Sequence, residues 1–125
     1  MEMQKGYLID PNTPDTLVTE VEYNDFRDIQ KLIGCDCFTS ITLGGYGDDD
    51  GFCDDDGLNT ATMLSKFVIF PDLFCQPIVG RVLVVGPADD EGESTPPTKP
   101  IEYYRENTKV LSYGQVNLLS VMGAF

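Results

Sequence analysis

The sequence predicts an α+β fold: one domain over residues 1–125, with a mixed sheet of about five strands, one main helix and one short helix. Two observations lead to this class. Segments with the apolar pattern of strands outnumber those with the three-and-four spacing of a helix. The length of 125 residues and the hydrophobic content of 42% suit a single globular domain with one modest core.

The first elements are a strand pair and the main helix. Residues 5–9 (KGYLI) run into the turn formers of residues 10–15, and residues 16–23 (TLVTEVEY) alternate apolar and polar side chains, which predicts a hairpin. We expect Asn24 to cap a helix that Gly34 ends. The apolar residues of this helix recur on one face: Phe26, Ile29, Leu32 and Ile33.

Four further segments have strand character. Residues 37–43 (CFTSITL) are rich in β-formers, and residues 51–53 (GFC) form the only apolar interruption between two acidic turns. Residues 66–70 (KFVIF) favour a strand that Pro71 ends. Residues 81–85 (RVLVV) form a continuous apolar run between glycines, which predicts a strand buried on both faces at the centre of the sheet.

The last third of the chain is less regular. Residues 87–100 hold four prolines and four acids, and they predict a mobile surface loop. Residues 101–107 and 109–113 follow as a short helix and a strand. The segment 114–125 is too apolar for a free tail, so the core, a second copy or a partner should cover it. Its candidate interface residues are Val116, Leu118, Leu119, Val121, Met122 and Phe125.

The charge is strongly negative and restricts the classes of partner. There are 21 acidic and eight scattered basic residues, for a net charge of −13 and a pI near 4.1. Direct nucleic-acid binding needs clustered cations and is not expected. The start, MEMQKGYLID, lacks the apolar core of a signal peptide, and no apolar run approaches the roughly 20 residues of a membrane helix. We therefore expect a cytoplasmic protein whose partner is a basic protein or a cation.

Two acidic stretches, residues 48–56 and residues 89–93, contain the candidate binding residues. Both follow predicted strands, so they emerge at the same edge if those strands run parallel. Their acids would then share one surface that attracts a basic protein; the alternative is two solvated loops. The predicted surface contains Asp48, Asp49, Asp50, Asp54, Asp55, Asp56, Asp89, Asp90, Glu91 and Glu93.

Most catalytic and metal chemistry is disfavoured. The chain has no histidine, which removes the commonest general base and the usual nucleophile pairs, and we expect no enzymatic activity and no cofactor. When Gly51 or Gly57 is placed at the glycine position of the standard calcium-binding loop, the other loop positions do not carry the required ligands. An irregular calcium or magnesium site is an alternative that the sequence leaves open. The cysteines lack the paired spacing of zinc sites, and we expect free thiols at Cys35, Cys37, Cys53 and Cys75.

Several phrases also resemble a known family. They are YLIDP (7–11), DIQKLIGCD (28–36), the turn DDDGL (54–58) and GRVLVVGPADDEGE (80–93). Over roughly residues 6–93 the chain resembles DUF3846, a family of domains of unknown function carried by phages, plasmids and their bacterial hosts. The resemblance implies a compact α+β fold and a mobile-element setting, without catalytic residues to carry over. The triplet 48–50 and the apolar C-terminal segment depart from the family pattern.

The sequence therefore leads to a hypothesis with two rivals. The hypothesis is a non-enzymatic phage-type accessory protein that binds and modulates a basic host or phage protein through its acidic surface, for example by imitating nucleic acid. One rival is a domain that binds a small molecule or a divalent metal. The other is a homo-oligomeric structural protein that assembles, as a homodimer or larger, through the C-terminal segment.

Overall fold

A computed structural model describes residues 3–44, 48–57, 61–74 and 76–123 of the chain. The α+β class is confirmed. The strands are β1 (Gln4–Ile9), β2 (Val18–Tyr23), β3 (Phe38–Thr42), β4 (Asp50–Asp54), β5 (Lys66–Ile69), β6 (Ile78–Val79), β7 (Val82–Val85) and β8 (Lys109–Ser112). The described ranges include the helices α1 (Phe26–Ile33), α2 (Ile101–Asn107) and α3 (Tyr113–Val121), and a 3-10 turn spans Pro14–Thr16.

The strands form two sheets. The larger has five strands in the order β2-β1-β7-β4-β3, and the smaller has three in the order β6-β5-β8. Every pair between these strands is antiparallel, so the predicted mixed pairing is wrong. Antiparallel neighbours such as β1 and β2 need only a short connection, whereas parallel neighbours need a long crossover.

The central position predicted for the RVLVV run is confirmed, because β7 is the middle strand and all four of its residues are buried. Its side chains alternate between two cores. Val82 and Val84 belong to the core between the two sheets, and Leu83 and Val85 belong to the core under α1. A strand covered on both faces has no polar side, which explains the continuous apolar run.

The main helix begins one residue later than expected. Asp25, not Asn24, is the N-cap, and its carboxylate accepts hydrogen bonds from the backbone N–H groups of Arg27 and Asp28. The Asn24 N–H instead donates to the Asp28 carboxylate. Gly34 ends the helix in the left-handed conformation, with φ of 82°, as predicted.

The second sheet was only partly predicted. Strands β5 and β8 fall within the expected segments, but β6 has two residues, too few to show a pattern in sequence. Helix α3 follows β8 directly and is capped by Ser112, whose hydroxyl accepts from the Gln115 N–H. None of the helices in the described part of the chain is long and apolar enough to cross a membrane.

Candidate functional site

The topology determines where the acidic stretches lie. Strands β3 and β7 each pair antiparallel with β4, which lies between them, so β3 and β7 point in the same direction. Both therefore finish at the end of the sheet where β4 begins, and we call this the Asp49 end. Strand β1 begins there and β2 finishes there, because Gln4 pairs with Tyr23. Residues 48–50 and residues 89–93 therefore both lie at this end.

The second aspartate triplet lies elsewhere. Asp54 is the last residue of β4, and Asp55 and Asp56 follow it, so all three are at the opposite end of the sheet. Four residue steps of an extended strand separate Asp50 from Asp54, about 13 Å. The single acidic surface expected from the sequence is thus divided into two, because β4 runs between the triplets.

Asp49 does not face solvent at all. Its side chain is 0% exposed, and its Oδ1 accepts hydrogen bonds of 2.8 Å from both the backbone N–H and the hydroxyl of Thr98. Its Oδ2 accepts from the Tyr104 hydroxyl and, at 3.4 Å, from the Lys99 N–H. A buried carboxylate needs such donors because burial removes its hydration. Asp49 is therefore a structural residue within the predicted acidic surface.

The Asp49 contacts anchor the acidic, proline-rich segment 87–100 at its C-terminal side. At its start, the Gly86 N–H donates to the Thr95 carbonyl and the Thr95 hydroxyl donates to the Pro87 carbonyl, each at 2.7 Å. An isolated bridge between Ala88 and Ser94 closes the loop between them. The segment is thereby held against the sheet on both sides of the acids.

The acids of this loop are presented to solvent. Asp89, Asp90, Glu91 and Glu93 are all exposed, and none of the four forms a salt bridge with a described residue. Asp89 shapes the turn, since its Oδ1 accepts from the backbone N–H groups of Glu91 and Glu93, each at 2.9 Å. Asp48 and Asp50 are half-buried, and burial, then the charge of Asp49, raises the pKa of Asp50.

A pocket opens beside this loop, between it and the start of α1. Its volume is about 320 Å³, and its polar lining comes from Gln4, Tyr23, Asn24, Asp25, Glu93 and Ser94. Phe26 and Ile29 add apolar wall. We call it the Asp25 pocket. Two carboxylates line it, those of Asp25 and Glu93, and no cationic side chain is among the described residues of its lining.

The Asp25 pocket has a buried tyrosine in its wall, Tyr23. Tyr23 is 3% exposed, and its buried hydroxyl makes no hydrogen bond of good geometry to the described residues. Burial raises the pKa of Tyr23, and the neighbouring Ser94 hydroxyl opposes this shift. The hydroxyl end of Tyr23 therefore lies next to Ser94, another residue of the pocket. Sequence reasoning missed this pocket, because strand alternation predicts that Tyr23 is buried but not that Ser94 and Glu93 lie beside it.

The predicted C-terminal interface residues lie mostly on α3. Val116 is buried and Leu119 is half-buried, so the smaller sheet covers part of the segment. Leu118, Val121 and Met122 are exposed, Val121 by 87%. Phe125 lies outside the described residues. The exposed apolar residues therefore lie in the last two turns of α3 and at the residue that follows it.

The three cysteines in the described residues are free thiols, as expected, and Cys75 lies outside those residues. Burial raises the pKa of Cys53 to about 11, with a further contribution from Asp54. Within the described ranges, no three Cys, Asp or Glu side chains lie close enough together to hold a metal ion.

Comparison with known proteins confirms the resemblance suggested by the sequence. The profile of a domain of unknown function, DUF3846, matches residues 3–109, which leaves α3 outside the matched region. No curated protein and no solved structure is significantly similar to the chain. The matched region includes the Asp25 pocket, Asp49 and the acidic loop. Because the match covers well over half of its residues, the protein belongs to the DUF3846 family.

Proposed function

We propose that this is a non-enzymatic accessory protein of the phage type, which binds a basic host or phage protein and modulates it through the Asp49 end of the sheet. The observation that carries the proposal is the acidic loop, whose four carboxylates (Asp89, Asp90, Glu91 and Glu93) face solvent without a salt bridge to any described residue. Such a group of charges attracts a cationic partner and accelerates its encounter.

Three further observations support the proposal. The loop is held in place by Asp49 and by the bridge between Ala88 and Ser94, so its charges are presented in a defined arrangement. The net charge of −13 repels nucleic acid and favours basic proteins. The absence of histidine leaves the chain without the commonest general base. A row of carboxylates also has the sign of a phosphate backbone, so occupation of a nucleic-acid site is one form that modulation can take.

The test is affinity capture from bacterial lysate at low and moderate salt, followed by identification of the bound proteins. The loop variant Asp90→Asn/Glu91→Gln removes two exposed charges that make no side-chain hydrogen bond in the described residues. The matched control, Asp36→Asn/Asp55→Asn, removes two exposed charges at the opposite end of the sheet. We expect a basic protein that the native chain and the control capture and the loop variant loses. Equal capture by all three would contradict the proposal.

A second candidate is self-association through α3. Residues 113–123 carry no charged side chain, although the whole chain has a net charge of −13. Two copies therefore meet with least repulsion at this surface, where Leu118, Val121 and Met122 are exposed. Light scattering on native protein and on Val121→Asp tests it: the candidate predicts a dimer that the variant dissociates. A strictly monomeric native protein at high concentration would contradict it.

A further inference from the structure

We infer that the Asp25 pocket binds the guanidinium side chain of an arginine from the basic partner. The inference rests on the proposed function and specifies what the partner contributes. Its starting point is the pair of carboxylates, Asp25 and Glu93, that line one small cavity without a salt bridge to any described cation. Asp25 uses Oδ1 to cap α1, while its Oδ2 accepts no hydrogen bond from the described residues. The Glu93 carboxylate likewise accepts none from them.

The size and lining of the pocket suit a single long side chain. Its volume of about 320 Å³ is at the lower end of ligand pockets, which run from about 300 to 1,000 Å³. Besides the carboxylates, the lining offers side-chain oxygens of Gln4, Asn24 and Ser94 as hydrogen-bond acceptors. A guanidinium has five N–H donors in one plane and can use several of these acceptors at once, whereas an ammonium has three.

The apolar wall also favours arginine. Phe26 is 59% exposed although it begins a helix that packs on the sheet, so its ring is available to an incoming side chain. The guanidinium of Arg27 lies over one face of this ring, 5.9 Å from its centroid, so an incoming guanidinium would use the opposite face. The aliphatic part of a bound arginine would contact Ile29 in the same wall.

The Tyr23 hydroxyl supplies an independent indication of a ligand. It is buried and makes no hydrogen bond of good geometry to the described residues, although the Ser94 hydroxyl lies beside it, and such an arrangement costs stability unless a better-placed donor satisfies it. A guanidinium N–H entering the pocket beside Ser94 would give the hydroxyl a donor. Binding would thereby remove an unfavourable feature of the free protein.

The test is an NMR titration of the full chain with a capped Gly-Arg-Gly peptide and with its lysine counterpart. We expect arginine-induced shifts that centre on Tyr23, Asn24, Phe26 and Ser94. The variant Asp25→Asn/Glu93→Gln keeps a helix-capping side chain at position 25 and should weaken arginine binding by about tenfold. Tyr23→Phe should weaken it about threefold without lowering resistance to urea, because the hydroxyl it removes makes no hydrogen bond of good geometry to the described residues in the free protein. The control Asp36→Asn/Asp55→Asn should bind as the native chain does.

Three results would overturn the inference: shifts spread over the whole surface, equal weakening in the control, or equal binding of the lysine peptide. The captured partner separates this inference from the proposed function. If the native chain captures a basic protein and Asp25→Asn, which leaves all four loop carboxylates in place, captures it equally well, the arginine site is wrong and the acidic loop still stands. If the loop variant also captures it, the proposed function itself is wrong.

Discussion

The hydroxyl of Tyr104 donates a hydrogen bond to the carboxylate of Asp49, which lies 55 positions earlier in the chain. Both side chains are buried, and Thr98 donates two more hydrogen bonds to the same carboxylate. An aspartate from an acidic turn thereby joins the start of β4 to α2 and to the end of the acidic loop. The loop that carries the proposed binding charges depends on a carboxylate that no partner can reach.

Replacing Asp49 should destabilise the fold. Both carboxylate oxygens accept hydrogen bonds, so the amide of Asp49→Asn must point its NH2 group at one set of donors and leave them unsatisfied. We expect a loss of about 3 kcal/mol in the free energy of unfolding, measured by urea denaturation. Asp90→Asn, at an exposed position, should change it by less than about 0.5 kcal/mol. A change as small for Asp49→Asn would contradict the assigned role.

Alkaline pH should destabilise the protein through Tyr104. Burial, followed by the hydrogen bond to Asp49, raises the pKa of Tyr104 above its ordinary value of 10.0. The unfolded chain loses this proton near pH 10.0, while the folded chain keeps it. The contribution to stability is complete below that pH and is lost as the pH rises toward the folded-state pKa.

Unfolding free energies measured across this alkaline range check the prediction. Tyr104→Phe should show a shallower decline with pH than the native chain, whatever its absolute stability. Some decline should persist in the variant, because burial also raises the pKa of Tyr7 and of Tyr23. Identical slopes for the two proteins would show that Tyr104 is not the group responsible.

The thiols should differ in reactivity according to their burial. In a Cys75→Ser background, the exposed Cys37 should react first with a thiol reagent and the buried Cys53 last. The pKa of Cys53, raised to about 11, leaves almost no thiolate near neutral pH. Reaction of Cys53 should therefore require unfolding, and urea should abolish the difference. Labelling of Cys53 as fast as Cys37 in native conditions, read by mass spectrometry, would contradict this packing.

Two glycine substitutions should have opposite effects. Gly34 ends α1 at a φ of 82°, so Gly34→Ala should cost about 1 kcal/mol of unfolding free energy through backbone strain. Gly114 lies in the first turn of α3, and an added Cβ would meet nothing within 4 Å. Gly114→Ala should therefore stabilise by up to about 0.5 kcal/mol. Thermal unfolding of both variants checks the pair, and a loss at both positions would mean that α3 is not formed as described.

Local patterns predicted much of the fold. The hairpin of β1 and β2, the helix ended by Gly34 and the buried central strand β7 all follow from periodicities within a few residues. The cap of α1 was placed one residue early because Asn24 and Asp25 are equally good capping residues by type. The two-residue strand β6 has no periodicity from which to predict it.

The candidate site was harder to predict because its contacts are distant in sequence. Nothing near Asp49 distinguishes it from Asp48 and Asp50, since the donors that bury it come from Thr98 and Tyr104. The separation of Asp54 from the Asp49 end follows from β4 running between them, which requires the strand order. The Asp25 pocket joins the start of α1 to Glu93 and Ser94, and only the closed loop brings those together.

If the acidic loop binds a basic protein by charge, the affinity must depend on salt. The most direct measurement is the dissociation constant of the captured, purified partner at about 50 and about 200 mM salt, for the native chain and for Asp90→Asn/Glu91→Gln. We expect native binding to weaken strongly with salt, and we expect the loop variant to bind more weakly with a smaller salt dependence. Native binding that is indifferent to salt, or a variant with unchanged affinity and salt dependence, would contradict it.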